Sequence, residues 1–555
     1  MEARQNTPVT EEEGRILALD VVRGFALFGI FLMNAEWFNR AMAEMRLGVP
    51  PGLTGADWWA SRLVYLLVQG KFWTIFSLLF GMGFAVMLGR AEQAGRPFLP
   101  LYLRRIAGLA VFGAAHFILL WNGDILFSYA LAALALLILL YGKWKPILLS
   151  LAALAGLGFV PGLDPLWRVA GSLAYVSVAA LFLRGEKRMG ERWRRVPVFA
   201  FFFLVLGVVA VGVAALMWAL SAGPLEARFG MSLGAVFTLA VGILAARCHQ
   251  PAELRKRRLA VGLYVLPFLG MTLFGVVQLV VQTPPPGARA PGPAAGQAPA
   301  GAEAVRQAEK EAQRKKEAEK LRERIRAETQ AHARGSYREA VAFRAVEFPR
   351  RAGEEAGFAM MVISLFLLGA WFVQSGVMVR PRDHLPLFRR LALYALPVGV
   401  GLGVLGSAVA TSMQPGDPPG RFMVAQGLLY LGNLPACLGY VSVVVLLLQR
   451  ERAARWLAPL APAGRMALTN YVAQSAVSVV IFFGHGFGCW GLSRSWQMLY
   501  VVGVFAVQVL VSGWWLKRFR YGPLEWLWRA FTYWRLPPMR RRPPTPAPTD
   551  ERTGA

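Results

Sequence analysis

The chain alternates between long apolar runs and short polar segments from residue 16 to residue 515. Runs of about 18 or more apolar residues are typical of helices that cross a lipid bilayer. The pattern predicts an all-α, polytopic transmembrane helical bundle of about 12–14 spans. The predicted spans are 16–38, 63–89, 106–121, 125–141, 146–163, 168–184, 196–220, 231–247, 259–282, 358–379, 391–413, 422–448, 466–483 and 495–516.

The polar segments between these spans differ in their content of Lys and Arg, and basic segments alternate with segments that hold few basic residues. The positive-inside rule places the basic set, and with it both termini, in the cytoplasm. The formal net charge of +28 therefore reflects membrane topology, and we do not expect nucleic acid as a partner. The basic segments are 90–105, 141–146, 184–195, 247–258, 380–390 and 449–465.

One segment interrupts this alternation. Residues 283–301 (TPPPGARAPGPAAGQAPAG) predict an extended linker, and residues 302–328 predict a solvated helix with mixed charges and almost no apolar stripe. Residues 335–348 predict an amphipathic helix on the membrane surface. We therefore predict the following order: a cytoplasmic tail (1–15), an N-terminal bundle (16–282), an extracytoplasmic insertion (283–357), a C-terminal transmembrane domain (358–535) and a disordered basic, Pro-rich tail (536–555).

Ionisable residues within the spans fall at two depths, and such residues mark functional sites because a charge is costly inside a bilayer. The inner pair is Asp20 and Arg23, three residues apart on one helix face. One interpretation is a structural ion pair that fixes the helix register. The other is that Arg23, with the basic segment 90–105, receives the phosphates of an anionic ligand.

The outer group centres on His116 and Asp124, which flank the sequence WNG between two spans. A tight turn there brings imidazole and carboxylate together, and this pair can act as a general base. The alternative is that Asp124 caps the following helix while His116 bonds to a neighbouring helix. Further predicted substrate-contacting residues at this depth are Asn34, Glu36, Lys71 and His485.

Other polar residues predict structural roles. Gln474, Ser475, Gln508 and Ser512, in the last two spans, are expected to form interhelical hydrogen bonds and to line a cavity. The three cysteines lie at different predicted levels, so we expect no disulfide and no thiolate metal site.

Several stretches resemble a known family. GRMALTNYVAQS (464–475), FFGHGFGCWG (482–491) and QVLVSGWWLKRFRYGPLEWLWRAFTY (508–533) are similar to the C-terminal domain of the YeiB-like bacterial inner-membrane proteins, domain of unknown function 418. LALDVVRGFALFGIFLMN and HFILLWNGDILFSY resemble the N-terminal half of the same family. The resemblance implies a multi-pass protein of the bacterial cytoplasmic membrane in a family labelled transport-associated.

A more distant resemblance concerns the D-x-x-R-G motif that starts at Asp20. It is similar to that of transmembrane acyltransferases of the heparan-α-glucosaminide N-acetyltransferase type, which move an acyl group from cytoplasmic acyl-CoA to an acceptor across the membrane. The polysaccharide O-acyltransferase branch has a histidine eleven residues after the motif's arginine, where this chain has Asn34. The heparan-type branch resembles this chain in having asparagine there. Because residues 35–115 contain no histidine, His116 is the first substitute.

This resemblance implies acyl-CoA as a co-substrate, with no permanently bound cofactor and no metal. Its phosphates would lie near Arg23, Arg104 and Arg105, and His116 would deprotonate a hydroxyl or amine of an envelope glycan or lipid. Asn34 or Lys71 would stabilise the oxyanion. The alternative is a transporter or transport-associated protein, in which the same charges bind a solute or relay protons.

Overall fold

The computed structural model describes residues 17–160, 162–163, 165–184, 197–282 and 300–541. All regular structure in this part of the chain is helical, apart from two isolated β-bridges. The predicted 1–15 tail, nearly all of the basic segment 184–195 and of the linker 283–301, and the end of the 536–555 tail lie outside the described residues.

The first half of the described chain forms ten α-helices. They are α1 (Leu17–Trp37), α2 (Gly55–Leu63), α3 (Lys71–Gln93), α4 (Phe98–Ala115), α5 (Leu126–Tyr141), α6 (Trp144–Leu157), α7 (Pro165–Arg184), α8 (Val198–Ala219), α9 (Leu225–Cys248) and α10 (Arg255–Gln282). Short π-helical turns follow α2 and α4, at Val64–Val68 and His116–Leu120. Such π-helical turns are rare in proteins, and those that occur often lie at functional sites.

The second half forms ten more α-helices. They are α11 (Ala300–Thr329), α12 (Tyr337–Gln374), α13 (Leu385–Arg390), α14 (Leu396–Val409), α15 (Gly420–Leu447), α16 (Glu451–Leu457), α17 (Leu460–Arg465), α18 (Ala467–Phe482), α19 (Arg494–Arg518) and α20 (Pro523–Tyr533). A π-helical turn, Gln330–Arg334, joins α11 to α12, and another, Leu391–Ala395, precedes α14.

The predicted all-α polytopic architecture is confirmed. Among the described residues, eleven helices are long and apolar enough to cross a membrane, and three shorter apolar helices accompany them, one helix for each predicted span. The shorter ones are Leu126–Tyr141, Trp144–Leu157 and Ala467–Phe482. The chain is therefore a multi-pass membrane protein.

The boundary at α12 differs from the prediction. The 335–348 segment is not a separate surface helix, because α12 runs without interruption from Tyr337 to Gln374. A capping box starts it: the Ser336 hydroxyl accepts from the Glu339 backbone N–H, and the Glu339 carboxylate accepts from the Ser336 N–H. Ion pairs at (i, i+3) and (i, i+4) spacing, such as those of Arg350 with Glu347 and Glu354, then support the polar turns.

Among the eleven long helices, α1, α3, α12 and α15 are the most buried, and they form the centre of the bundle. Helices α3 and α12 cross closely through small residues. A Cβ placed on Gly81 would lie 2.1 Å from the Phe366 carbonyl oxygen, and one on Gly369 would lie 2.1 Å from the Leu78 carbonyl oxygen. Small residues allow such close backbone approach between membrane helices. This contact holds α12 beside the helices that carry the early polar residues.

Candidate functional site

The segment WNGD (121–124) forms a turn between α4 and α5, as the sequence predicts. Helix α4 ends in the π-helical turn His116–Leu120, and Trp121 is extended. Trp121 is buried, its ring lies 4.1 Å from that of Phe38, and its Nε1 donates to the Trp37 carbonyl at 3.2 Å. The indole therefore anchors the turn to the end of α1 and fixes the positions of the residues on either side.

His116 and Asp124 meet across this turn. The Nδ1 atom of His116 lies 2.9 Å from Oδ1 of Asp124, and both side chains are 1% exposed. The other carboxylate oxygen accepts from the Phe127 backbone N–H at 2.7 Å, which caps the start of α5. Asp124 therefore makes both contacts considered from the sequence, the pairing with His116 through one oxygen and the helix cap through the other.

The second nitrogen of His116 contacts a residue from the far end of the chain. Nε2 lies 2.8 Å from the hydroxyl oxygen of Ser475, a fully buried residue of α18. An ionised Asp124 can only accept hydrogen bonds, so it selects the tautomer with the proton on Nδ1. Nε2 then accepts from the Ser475 hydroxyl. We call Asp124, His116 and Ser475 the relay, because the order of groups matches a Ser-His-Asp triad.

The relay lies among other polar groups. The ring of Tyr471, one turn before Ser475, is centred 5.1 Å from the His116 ring. Glu355 of α12 lies within electrostatic range of Asp124, accepts a hydrogen bond from Ser128 and pairs with Arg351 at 3.0 Å. These pairings balance the charge of Glu355, so Asp124 is the carboxylate that bonds to His116.

A cover, which we define as residues 328–344, packs over the WNGD turn. Arg344 is fully buried, and its guanidinium donates to the carbonyls of Ile118 and Leu119 at 2.8 and 3.2 Å. Tyr337 donates to the same Leu119 carbonyl at 3.0 Å. A π-helical turn offsets the usual (i, i+4) bonding, and Arg344 satisfies carbonyls at the turn that holds His116.

Glu328 anchors the other end of the cover. Its carboxylate accepts from Asn122 Nδ2 at 2.6 Å and from the backbone N–H groups of Met42 and Ala43 at 2.9 and 3.1 Å. Burial raises the pKa of Glu328, against the lowering effect of these hydrogen bonds. Burial, aided by nearby positive charge, also lowers the pKa of His332 to about 3. The 302–328 helix is therefore solvated along most of its described length, as predicted, and its end at Glu328 is buried.

The other predicted residues of the outer group do not join the relay. Glu36 pairs with Arg40 at 2.8 Å and lies 3.6 Å from Arg494, so its charge is already balanced. Asn34 is buried in α1. Lys71 bonds to the carbonyl of Gln69, on the side of the bundle formed by α14 and α15.

His485 lies on the cover side of the bundle. Its ring is centred 5.4 Å from that of Tyr337, and its recorded contacts are with aromatic residues rather than with the relay. Burial and the nearby Arg344 lower the pKa of His485. These contacts give His485 a place in the packing of the cover.

The inner residues form a basic cluster at the opposite end of the bundle. Arg23 donates to Asp20 at 2.9 Å, as predicted. The Arg105 guanidinium stacks 3.9 Å from the centre of the Trp528 ring and interacts electrostatically with Arg23 and Arg529. The two depths inferred from sequence are therefore present, because α1 runs from this cluster to the WNGD turn.

Arg104 lies at the edge of this cluster. Its guanidinium is 5.7 Å from the centre of the Trp534 ring, just after the end of α20. Two of the predicted phosphate-binding arginines therefore contact the last helix of the C-terminal domain, which the sequence alone did not indicate.

Comparison with known proteins places the C-terminal domain in a family. Residues 372–535 match the family described as "Protein of unknown function (DUF418)". The chain is 25% identical to "Uncharacterized protein YxaH" of Bacillus subtilis (strain 168), over 95% of this chain and 96% of that protein. It is 37% identical to "Uncharacterized protein YeiB" of Escherichia coli (strain K12), over 22% of this chain and 30% of that protein. No solved structure matches.

The C-terminal part of this chain thus matches the DUF418 family, and the chain is similar to YeiB-like proteins. The match to the family covers Ser475 but neither His116 nor Asp124, which lie in the N-terminal half. The relay is therefore assembled from both parts of the chain, and the matched region by itself holds only the hydroxyl.

Three important residues were missed from the sequence or given another role. Ser475 was expected to form interhelical hydrogen bonds and to line a cavity, as its neighbour Gln474 bonds to Gln508 at 2.9 Å, but it was not expected to contact His116. Glu328 and Arg344 looked like ordinary charges of a polar segment. The one available signal was their position at the C-terminal side of the insertion, where the charged pattern gives way to apolar residues.

Proposed function

We propose that this protein is a membrane-bound acyltransferase, which moves an acyl group from cytoplasmic acyl-CoA to a hydroxyl or amine acceptor on the other side of the membrane. The observation that carries the proposal is the relay: a buried carboxylate, imidazole and hydroxyl joined at 2.9 and 2.8 Å. The hydroxyl comes from a part of the chain far from the His116–Asp124 pair, and burying such a polar network is costly unless it has a task.

The first half-reaction acylates Ser475. His116 Nε2 takes the hydroxyl proton while Oγ bonds to the thioester carbonyl carbon, and Asp124 stabilises the imidazolium that forms. The tetrahedral intermediate collapses with cleavage of the C–S bond. The departing thiolate of coenzyme A takes the proton from Nε2, so the enzyme is left as a neutral acyl-serine ester.

The second half-reaction reverses these proton transfers. The acceptor hydroxyl or amine gives its proton to Nε2 and attacks the ester carbonyl. The bond to Ser475 Oγ breaks, and Oγ recovers the proton from Nε2. From the sequence alone, we expected His116 to deprotonate the acceptor directly, without a serine between them. Ser475 takes that place because its hydroxyl already faces Nε2.

The basic cluster at the other end of the bundle supports the choice of acyl donor. Arg23, Arg104 and Arg105 lie on the first and fourth helices, and Arg105 and Arg104 contact aromatic rings of the C-terminal domain. Guanidinium groups bind phosphate oxygens in bidentate fashion. An acyl-CoA bound there would extend its thioester along α1 toward the relay.

A transporter is the competing function, and one observation favours it. The helical segment 55–93 is broken between α2 and α3, where Gln69 and Gly70 leave the helix. Broken helices hold substrates in secondary transporters. A proton relay in a transporter would need only His116 and Asp124, whereas the Ser475 hydroxyl on Nε2 supplies a nucleophile, and we therefore place acyl transfer first.

Covalent labelling tests the proposal. Purified full-length protein in lipid nanodiscs is incubated with radiolabelled acetyl-CoA, and in parallel with a fluorophosphonate probe that reacts with activated serines. We expect label on the wild type, located at Ser475 by peptide mass spectrometry, and none on Ser475→Ala or His116→Ala.

Ser478→Ala is the matched control, because Ser478 is buried on the same helix and bonds to Tyr500 at 2.8 Å. Its labelling should equal that of the wild type. Wild-type protein that binds neither reagent covalently, or label that persists in Ser475→Ala, would refute the proposed chemistry.

A further inference from the structure

The second long apolar segment contains a break in its helix, between α2 and α3, and this break has no part in the relay. Helix α2 ends at Leu63, the π-helical turn Val64–Val68 follows, and α3 starts at Lys71. Gly70 has a φ of +80°, and a Cβ on it would lie 1.9 Å from the side-chain nitrogen of Asn433. Only glycine fits both the left-handed conformation and the contact. The amide of Asn433 is therefore seated directly against the break.

Asn433 has no partner at this position. It is completely buried in α15, and neither its amide nitrogen nor its carbonyl oxygen forms a hydrogen bond within the structure. The hydroxyl of Tyr65, in the π-helical turn, is also buried and unpartnered, and Tyr65 interacts electrostatically with Tyr430. Tyr430 and Asn433 are three residues apart and share a face of α15. Unsatisfied polar groups therefore occur both on the π-helical turn and on the helix packed against the break.

Lys71 adds an uncompensated charge. It is completely buried, and its ammonium group donates to the Gln69 carbonyl at 3.2 Å, which uses one of three donors. No carboxylate in the described parts of the chain lies within 4.0 Å of that ammonium. A buried cation without a counter-charge is costly, and more so within a membrane protein.

The backbone increases this positive potential. Lys71 is the first residue of a 23-residue helix, whose N-terminus carries a partial positive charge and free N–H groups. The N-cap residue Gly70 has no side chain to cap them. On the far side, Gly403 of α14 lies next to the ammonium, since a Cβ there would be 3.9 Å from Nζ, an ordinary contact distance. A helix terminus, a cation and an amide donor together make a site for an anion.

We propose that the break between α2 and α3 is a binding site for a small monocarboxylate. Lys71 supplies the counter-charge, and Asn433, Tyr65 and the α3 N-terminus supply hydrogen-bond donors. The single lysine selects a single negative charge, because a dianion such as phosphate would leave one charge unbalanced inside the bundle. The inference is independent of the acyltransferase proposal, since none of these groups belongs to the relay.

The test measures anion-dependent stability of the full-length protein in nanodiscs. Thermal unfolding is followed at constant ionic strength with acetate, lactate, chloride, phosphate or sulfate. We expect the monocarboxylates to raise the unfolding temperature saturably and the dianions to have no effect. In Lys71→Met the apparent Kd should rise on the order of tenfold to hundredfold, because one charged hydrogen bond is lost. Lys145→Met, at an exposed lysine, is the matched control and should bind as the wild type does.

A second variant covers the case in which Lys71→Met does not fold. Asn433→Asp has almost the same shape and places a carboxylate beside the break, where it should act as an internal anion. We expect this variant to unfold at a higher temperature than the wild type without added anion, and to lose the response to acetate. The proposal is overturned if no monocarboxylate stabilises the wild type, or if either variant keeps the wild-type response. Fluorophosphonate labelling of Ser475 should be unchanged in both variants, so failure of one proposal is distinguishable from failure of the other.

Discussion

Asp124→Asn separates the two roles of this side chain. In the wild type, one oxygen bonds to His116 Nδ1 and the other caps α5 through the Phe127 N–H. Asparagine can keep the cap with its carbonyl oxygen and turn its NH₂ group toward His116. Nδ1 must then accept, so the ring proton moves to Nε2 and points at Ser475. His116 can no longer take the serine proton.

The size of the effect follows from these bonds. Every polar atom keeps a partner in the variant, because the Ser475 hydroxyl can donate to the Tyr471 carbonyl, 3.4 Å away. Stability should therefore change by less than about 1 kcal/mol. Reactivity should fall by about 10⁴-fold, the loss that an Asp-to-Asn change causes in a serine-protease triad. Asp124→Ala should lose reactivity as well, and also about 1–3 kcal/mol, because it removes the cap and leaves Nδ1 unpaired.

The assay combines the rate of fluorophosphonate labelling at Ser475 with thermal unfolding of the same nanodisc samples. The expected pattern is slow labelling with wild-type stability in Asp124→Asn, and slow labelling with reduced stability in Asp124→Ala. Wild-type labelling rates in Asp124→Asn would show that the carboxylate does not set the tautomer. The reasoning would then fail, even if Ser475 itself were reactive.

Three further predictions concern the cover and the helix packing. Arg344→Met removes two bonds to the π-helical turn and should speed hydrogen exchange in the WNGD turn, whereas Arg338→Met, at an exposed position, should not. Burial lowers the pKa of His332 in the cover to about 3, so its protonation favours the undocked cover; protection of the cover amides, corrected for intrinsic rates, should fall as the pH drops below 6.5, and a rise would contradict this. Gly81→Ala should destabilise the protein by about 1–3 kcal/mol in thermal unfolding, because its Cβ meets a carbonyl of α12, whereas Gly83→Ala enters open space and should be neutral.

The helices and one half of the relay could be predicted from sequence for a simple reason. Inside a bilayer a helix satisfies its own backbone hydrogen bonds, so an apolar run of bilayer length forms a helix. Each predicted span accordingly matches a helix. His116 and Asp124 are close in the chain, and the short WNGD turn brings their side chains together. Local sequence therefore contained the information for this pair.

The remaining part of the site depends on contacts between distant segments. Ser475 lies 359 residues after His116, and no periodicity indicates which face of α18 meets α4. Lys71 and Asn433 are also distant from each other in the chain, and the break at Gly70 brings them close together. The sequence predicted a solvated helix that ends at residue 328 and an amphipathic surface helix at 335–348, whereas Glu328 and Arg344 are buried and bond to backbone groups. Charge pattern alone cannot distinguish a solvated arginine from one that satisfies a π-helical turn.

The burial of the relay bears directly on how a substrate reaches it. His116 and Ser475 are each at most 3% exposed, so an acceptor or a labelling reagent that arrives from the side of the cover requires an opening step before it can reach Oγ. The cover is the part most suited to move, because polar bonds from Glu328 and Arg344 hold it, and water can replace such bonds at little net cost. The close crossing of α3 and α12 is apolar and offers no such exchange. If the cover opens, Arg344→Met should accelerate labelling of Ser475 while Gly81→Ala should not; equal effects would assign the opening step to the helices instead.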